Sequence, residues 1–160
     1  MANDTTAEKL LTAKAVGQML SLRVEDVMHT GEELPVVTED VSMKDAILEI
    51  MNKRLGVTTV VNSQGKLTGI VTDGDIKRIL MKSPDIFRIK VGDVMSKNPR
   101  TVAREELIAS AVKRMEENEP SPITSLIVTK PSGEPEGLIH LHDCLRAKHP
   151  PGVGSPVNDS

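Results

Sequence analysis

Two spacings of apolar residues alternate along this chain, one helical and one extended, and they recur in a fixed order. After Ser42, a residue type that favours a helix N-cap, Ile47, Ile50 and Met51 fall at helical spacing. Lys44, Asp45, Glu49 and Lys53 lie mostly on the other side, so an amphipathic helix is predicted, with Gly56 as its stop signal. Val57–Val61 is a short β-branched run, and the turn cluster Asn62-Ser63-Gln64-Gly65 leads from it into Leu67–Val71. Two strands joined so tightly are expected to be antiparallel neighbours. Thr72 or Asp73 then caps a second helix running through Met81, with Ile76, Ile79 and Leu80 as its apolar face.

The same order returns further along. Val24-Glu25-Asp26-Val27-Met28 reappears as Val91-Gly92-Asp93-Val94-Met95, and Val57-Thr58-Thr59-Val60-Val61 matches Ile123-Thr124-Ser125-Leu126-Ile127. Gly69-Ile70-Val71-Thr72-Asp73-Gly74-Asp75-Ile76 matches Gly137-Leu138-Ile139-His140-Leu141-His142-Asp143-Cys144. Three blocks in one order at offsets of 67, 66 and 68 define two copies of one unit, at 24–81 and 91–147. The second copy predicts a helix from Arg104 to Asn118, a strand at Ile123–Thr129, a turn at Pro131–Pro135, a strand at Gly137–Leu141 and a helix to Ala147. Each copy is thus strand-or-turn, helix, strand, strand, helix. A unit of about 57 residues buries little core by itself, so the copies are expected to pack on each other. Residues 1–23 form an extension with a helical pattern over 5–20, and the Pro/Gly-rich stretch 148–160 reads as a disordered tail.

Composition narrows the choices. Apolar residues make up 38%, and eleven glycines bring this to about 45%, which argues against a disordered chain. Apolar runs fall far short of the ~20 residues of a membrane span, and the first residues lack a secretory signal. A single cysteine, Cys144, excludes an internal disulfide framework, and cytoplasmic localisation is the expectation. Phe87 is the only aromatic residue and the net charge is −3, so neither base stacking nor phosphate-backbone attraction is provided for; nucleic acid is not an expected partner.

The duplicated unit, opening on Asp-Val-Met and closing on Gly-apolar-x-Thr-x-x-Asp, resembles a tandem cystathionine-β-synthase-type (CBS) domain pair over about 24–147. The segments Asp26-Val27-Met28-His29-Thr30-Gly31-Glu32-Glu33-Leu34-Pro35, Thr72-Asp73-Gly74-Asp75-Ile76-Lys77-Arg78 and His140-Leu141-His142-Asp143-Cys144-Leu145-Arg146 are further similar to the C-terminal CBS pair of the arabinose 5-phosphate isomerase family. The resemblance implies an α+β fold of two β-α-β-β-α units with pseudo-twofold symmetry, a flat homodimer, and a ligand cleft between the copies. It also implies regulation of a sugar-isomerase domain in the synthesis of Kdo, a lipopolysaccharide sugar. With 23 residues ahead of the first copy, this chain leaves no room for that catalytic domain, so an excised regulatory region and a free-standing pair are both open readings. The chain itself is not expected to be an enzyme.

The strand-to-helix junction at Gly69–Asp75 suits an anion, because backbone N–H groups and the helix dipole converge there. Thr72 can donate to a phosphate and Asp75 can accept from ribose hydroxyls, the roles that the resemblance implies. The competing reading makes Thr72 and Asp73 simple caps and leaves Asp75 solvated. In the second copy His140 replaces the usual Ser/Thr while Asp143 keeps the acidic position; a protonated imidazole would hold phosphate more strongly at lower pH. Alternatively, His140 fills its own cleft. Thr58 and Thr124, at matching positions of the two copies, complete the candidate ligand-binding set. AMP, ATP or the nucleotide-sugar CMP-Kdo are the expected regulatory ligands, with no required cofactor. His140, His142 and Cys144 invite a zinc reading, yet Cys144 enters the helix beside Leu145 and reads more simply as core. Asp73-Gly74-Asp75 lacks the later oxygen ligands of a calcium loop. A structural dimerisation module with vacant clefts is the rival to ligand sensing.

Overall fold

The computed structural model describes residues 21–147, so the helix expected at 5–20 and the tail expected at 148–160 lie outside the described residues. The fold is α+β. The first copy supplies β1 (Val36–Thr38), α1 (Met43–Lys53), β2 (Val57–Val61), β3 (Leu67–Thr72) and α2 (Asp73–Lys82). The second supplies α3 (Val91–Val94), β4 (Ser96–Lys97), β5 (Thr101–Val102), α4 (Ile108–Glu116), β6 (Ser125–Thr129), β7 (Pro135–His140) and α5 (Leu141–Arg146). No described helix is long and apolar enough to cross a membrane.

Backbone contacts divide the chain into two compact units that cut across both copies. One comprises His29–Ala103 with Leu126–Leu138 and contains a four-stranded sheet in the order β1-β2-β3-β4. β1 runs parallel to β2, which is antiparallel to β3, as the tight turn at Asn62–Gly65 requires. All five residues of β2 are buried, and its two threonines satisfy their hydroxyls on backbone carbonyls, Thr58 on Thr59 and Thr59 on Pro35. On one side α1 contributes Met43, Ala46 and Ile50 to a core with Val60, Val71, Ile86 and Val91. A second cluster joins the copies, with Leu34 and Val57 of the first against Ile127 and Leu138 of the second.

The repeated Asp-Val-Met has a structural meaning that the sequence pattern left unassigned. Ser96, just after the second occurrence, pairs in β4 with Ile70 of β3. His29, just after the first, bridges to Leu138 of β7, donating its N–H at 2.8 Å and accepting the Leu138 N–H at 3.0 Å. These positions correspond through the repeat, so each copy lays its opening segment on the strand that ends in the other copy's motif. Gly69 makes the first of these pairings possible. A Cβ there would lie 2.9 Å from the Ser96 carbonyl and 2.5 Å from the Met95 sulfur.

The other unit comprises Arg104–Ser125 with described residues 21–28 and 139–147. Val24, Ile108, Ala111, Val112, Met115 and Cys144 are buried in it. Here α4 starts at Ile108, four residues later than its pattern predicts. Arg104 and Glu106 instead give their carbonyls to the N–H groups of Glu25 and Val24, at 3.0 and 2.8 Å, which holds that stretch out of the helix. The first copy shows a similar difference: α1 ends at Lys53 and its cap is Arg54, at φ 63° with its N–H on the Ile50 carbonyl, while Gly56, at φ 74°, turns the chain two residues later. Cys144 sits in the core, where burial, and then the Asp143 charge, pushes its thiol up to about 11.

Two outcomes are expected. Gly69→Ala should destabilise the fold by about 1–3 kcal/mol, because the Ser96 backbone as well as the Met95 side chain must yield; an unchanged thermal midpoint would refute the close approach of β4. For Cys144, a thiol that stays protonated longer in the folded chain contributes stability below its ordinary pKa near 9.0 and loses it as pH rises toward about 11. Thermal stability should therefore fall across that window, less steeply in Cys144→Ala, and native Cys144 should react with iodoacetamide far more slowly than in the unfolded chain.

Candidate ligand site

Thr72 closes β3 in an extended conformation and caps α2. Its Oγ1 accepts the Asp75 N–H at 3.1 Å, while Asp75 Oδ2 accepts the Thr72 N–H at 2.9 Å. This reciprocal capping box is the local reason for the Thr-x-x-Asp spacing, and such caps contribute about 1 kcal/mol. Asp75 is not solvated, however: it is 5% exposed, in the first turn of a helix whose Asp73 faces solvent. Its carboxylate is held by the Arg78 guanidinium through Oδ1, and the Ser96 hydroxyl donates to both oxygens at 3.3 and 3.2 Å. A carboxylate offers about four acceptor positions, so Asp75 is close to saturated. Thr72 accepts through its oxygen and keeps its hydroxyl proton for donation.

Arg78 and Ser96 did not emerge from the motif search. Arg78 carried a signal nonetheless, because Asp75-x-x-Arg78 recurs as Asp143-x-x-Arg146, and in α5 Arg146 Nη2 donates to Asp143 Oδ1 at 2.7 Å. Ser96 had none, since its reach to Asp75 depends on β4 pairing with β3. Asp75, Arg78, Ile79, Lys82, Val94 and Ser96 line a cleft of about 140 Å³. Ligand pockets commonly run from about 300 Å³ upward, so a nucleotide would need more space here. The Arg78 side chain, 69% exposed, is the element free to swing aside.

In the second copy His140 occupies the N-cap position of α5 in an extended conformation, without a side-chain cap bond. Its ring meets that of His142 edge-on, with centroids 5.5 Å apart. Asp143 is largely buried beside Arg146. Thr124 is exposed, and its carbonyl accepts the Leu141 N–H at 2.7 Å, tying the start of α5 to the residue just ahead of β6. His140, Asp143 and Thr124 therefore gather at one helix start. Thr58 lies opposite Val71, one residue from Thr72, but is wholly buried and donates its hydroxyl to the Thr59 carbonyl at 3.1 Å. Among the described residues no three His, Cys, Asp or Glu side chains are grouped to hold a metal ion.

A family model of the CBS domain matches residues 24–82 and 91–150. The arabinose 5-phosphate isomerase KdsD of Pseudomonas aeruginosa is 43% identical over 133 residues, covering 83% of this chain and 40% of that protein. The chain thus spans about two fifths of the length of the curated relatives it matches. Among solved structures, CBSX2 in complex with AMP aligns at 25% identity and a TM-score of 0.66, covering 79% of this chain and 96% of that one. The CBS domain of a bacterial CNNM/CorC family Mg²⁺ transporter, solved with ATP, shares the fold at a TM-score of 0.70 and 14% identity, over 88% of this chain and 96% of that one. Matched twice, once over each copy of the repeat, this chain belongs to the CBS-domain family and carries a tandem CBS pair.

Proposed function

We propose that the chain is a ligand-sensing module that binds a nucleotide through the strand-to-helix junctions of its two copies and biases the geometry of an attached or associated sugar-phosphate isomerase. The observation that carries the reading is Asp75, a buried carboxylate at a helix start whose partners come from both copies, Thr72 and Arg78 from the first and Ser96 from the second. A ligand diol that took Asp75 would replace Ser96 or Arg78, and the replacement would be felt where β4 pairs with β3. Such coupling requires that the two states differ in ligand affinity. Support for an adenine nucleotide comes from CBSX2, solved with AMP at 25% identity. Support for a regulatory place beside an isomerase comes from the KdsD relatives. The proposed ligand contacts are Thr72, Asp75 and Thr58 in the first copy and His140, Asp143 and Thr124 in the second, each set at its own junction, and CMP-Kdo stands with AMP and ATP as a candidate.

A second reading, a homodimerisation module without ligand, is favoured by exposed apolar side chains. Leu48 and Met51 on α1, Leu80 and Met81 on α2, and Phe87 are all at least two-fifths exposed. Sedimentation with and without nucleotide separates the two readings, since a dimer indifferent to every nucleotide supports the second.

Calorimetric titration of AMP, ATP and CMP-Kdo into the purified chain should show saturable heat for at least one of them. Asp75→Asn keeps the side chain's shape and an acceptor for the cap, and should weaken that ligand about tenfold or more, a larger loss than Asp143→Asn produces. Absence of heat and of thermal shift with all three would overturn the sensing reading.

A further inference from the structure

A second cleft, of about 620 Å³, opens at the far end of β3 from Thr72 and Asp75. Leu67 and Thr68 line it, five and four residues before Thr72, which on an extended strand is roughly 13–17 Å away. None of the sequence-predicted site residues borders it. Its volume lies within the about 300–1,000 Å³ of small-molecule sites. The wall is polar where it matters: Glu39, Lys97, Asn98 and Thr129 all face it, and among the described residues none of these four side chains has a hydrogen bond or ion pair. Lys97 and Asn98 are exposed and Glu39 and Thr129 half-buried, so these groups can turn to a ligand without breaking a bond within the protein. The backbone adds a second signal. Asn98 adopts φ 60°, a left-handed conformation, directly before Pro99, where the proline ring disfavours helical geometry. Asparagine is among the side chains that tolerate this conformation, and it turns the chain out of β4 on the rim that Lys97 and Asn98 share.

We infer that this cleft binds a phosphorylated sugar, with Lys97 taking the phosphate and Glu39, Asn98 and Thr129 the hydroxyls. One ammonium matches one phosphate. A carboxylate, an amide and a threonine hydroxyl on the same wall match a row of hydroxyl groups, which both donate and accept. No aromatic side chain lines the cleft, so nothing offers a nucleobase a ring to stack on. Glu39 would repel a second phosphate, which disfavours di- and triphosphates. The site is separate from the nucleotide reading and stands or falls without it.

Calorimetry on the full chain with D-arabinose 5-phosphate and D-ribose 5-phosphate, against inorganic phosphate and free D-arabinose, tests the inference. A pentose 5-phosphate should saturate one site and bind more tightly than either fragment. Lys97→Ala should weaken it tenfold or more, and Thr129→Val severalfold; the second variant guards against a fold effect in β4, and thermal melts report on both. With AMP saturating, the pentose phosphate should still fill its site, with at most a severalfold change in affinity, so that loss of nucleotide binding and loss of this site are told apart. Four results would overturn the inference: no saturable heat from either pentose phosphate, equal affinity for inorganic phosphate, indifference to both cleft variants, or displacement by AMP.

Discussion

Neither copy of the repeat completes its own sheet, and the remedy is an exchange of edges. A unit of under sixty residues buries too little apolar surface to offset the conformational entropy of its ordered chain. Here the segment after each Asp-Val-Met adds to a strand of the other copy, Ser96 to β3 and His29 to β7. The shared cluster of Leu34, Val57, Ile127 and Leu138 then draws side chains from both halves. The contact units consequently ignore the repeat border: a cut between 81 and 91 would sever strands from their sheets.

This exchange also determines what the Thr72–Asp75 junction is. Within one copy it would be a capped helix start with an acidic residue in its first turn. The arrival of β4 places the Ser96 hydroxyl on both carboxylate oxygens and closes the far side of the cleft with Val94. Any group that competes for Asp75 therefore competes with an interaction between copies. Local capping and long-range pairing meet on a single carboxylate, which is the property a module needs if occupancy is to alter geometry.

The two clefts differ in how their polar groups are satisfied. Around Asp75 the acceptors are nearly full, the space is small, and only the exposed Arg78 can readily leave. Around Lys97 the space is larger, and the side chains of Glu39, Lys97, Asn98 and Thr129 have no hydrogen bond or ion pair among the described residues. Both are bordered by the short stretch from Val94 to Thr101, which leads from α3 through β4 into β5. Changes in that stretch would reach both ends of β3.

Much of the fold was legible in residue order. The β2–β3 hairpin and the cap at Thr72 follow from local rules: β-branched runs, turn residues and a side-chain oxygen that accepts a backbone N–H; α1 also starts after Ser42, although that side chain makes no cap bond. Even the Asp75–Arg78 pair was written in the repeat as a spacing of three on a helix. What local rules missed has one cause. Arg104–Leu107 reads as helix but is claimed by the backbone of Glu25 and Val24, and the competing reading that left Asp75 solvated fails because Ser96 covers it. The sequence by itself determined the duplication, the element types and the residues at each helix start, because these depend on neighbours a few positions apart. Only the tertiary structure decided which strands complete which sheet, which carboxylate is buried and where open polar space remains, because those outcomes rest on contacts between residues far apart in the chain, from Asp75 with Ser96 to His29 with Leu138, that no local pattern encodes.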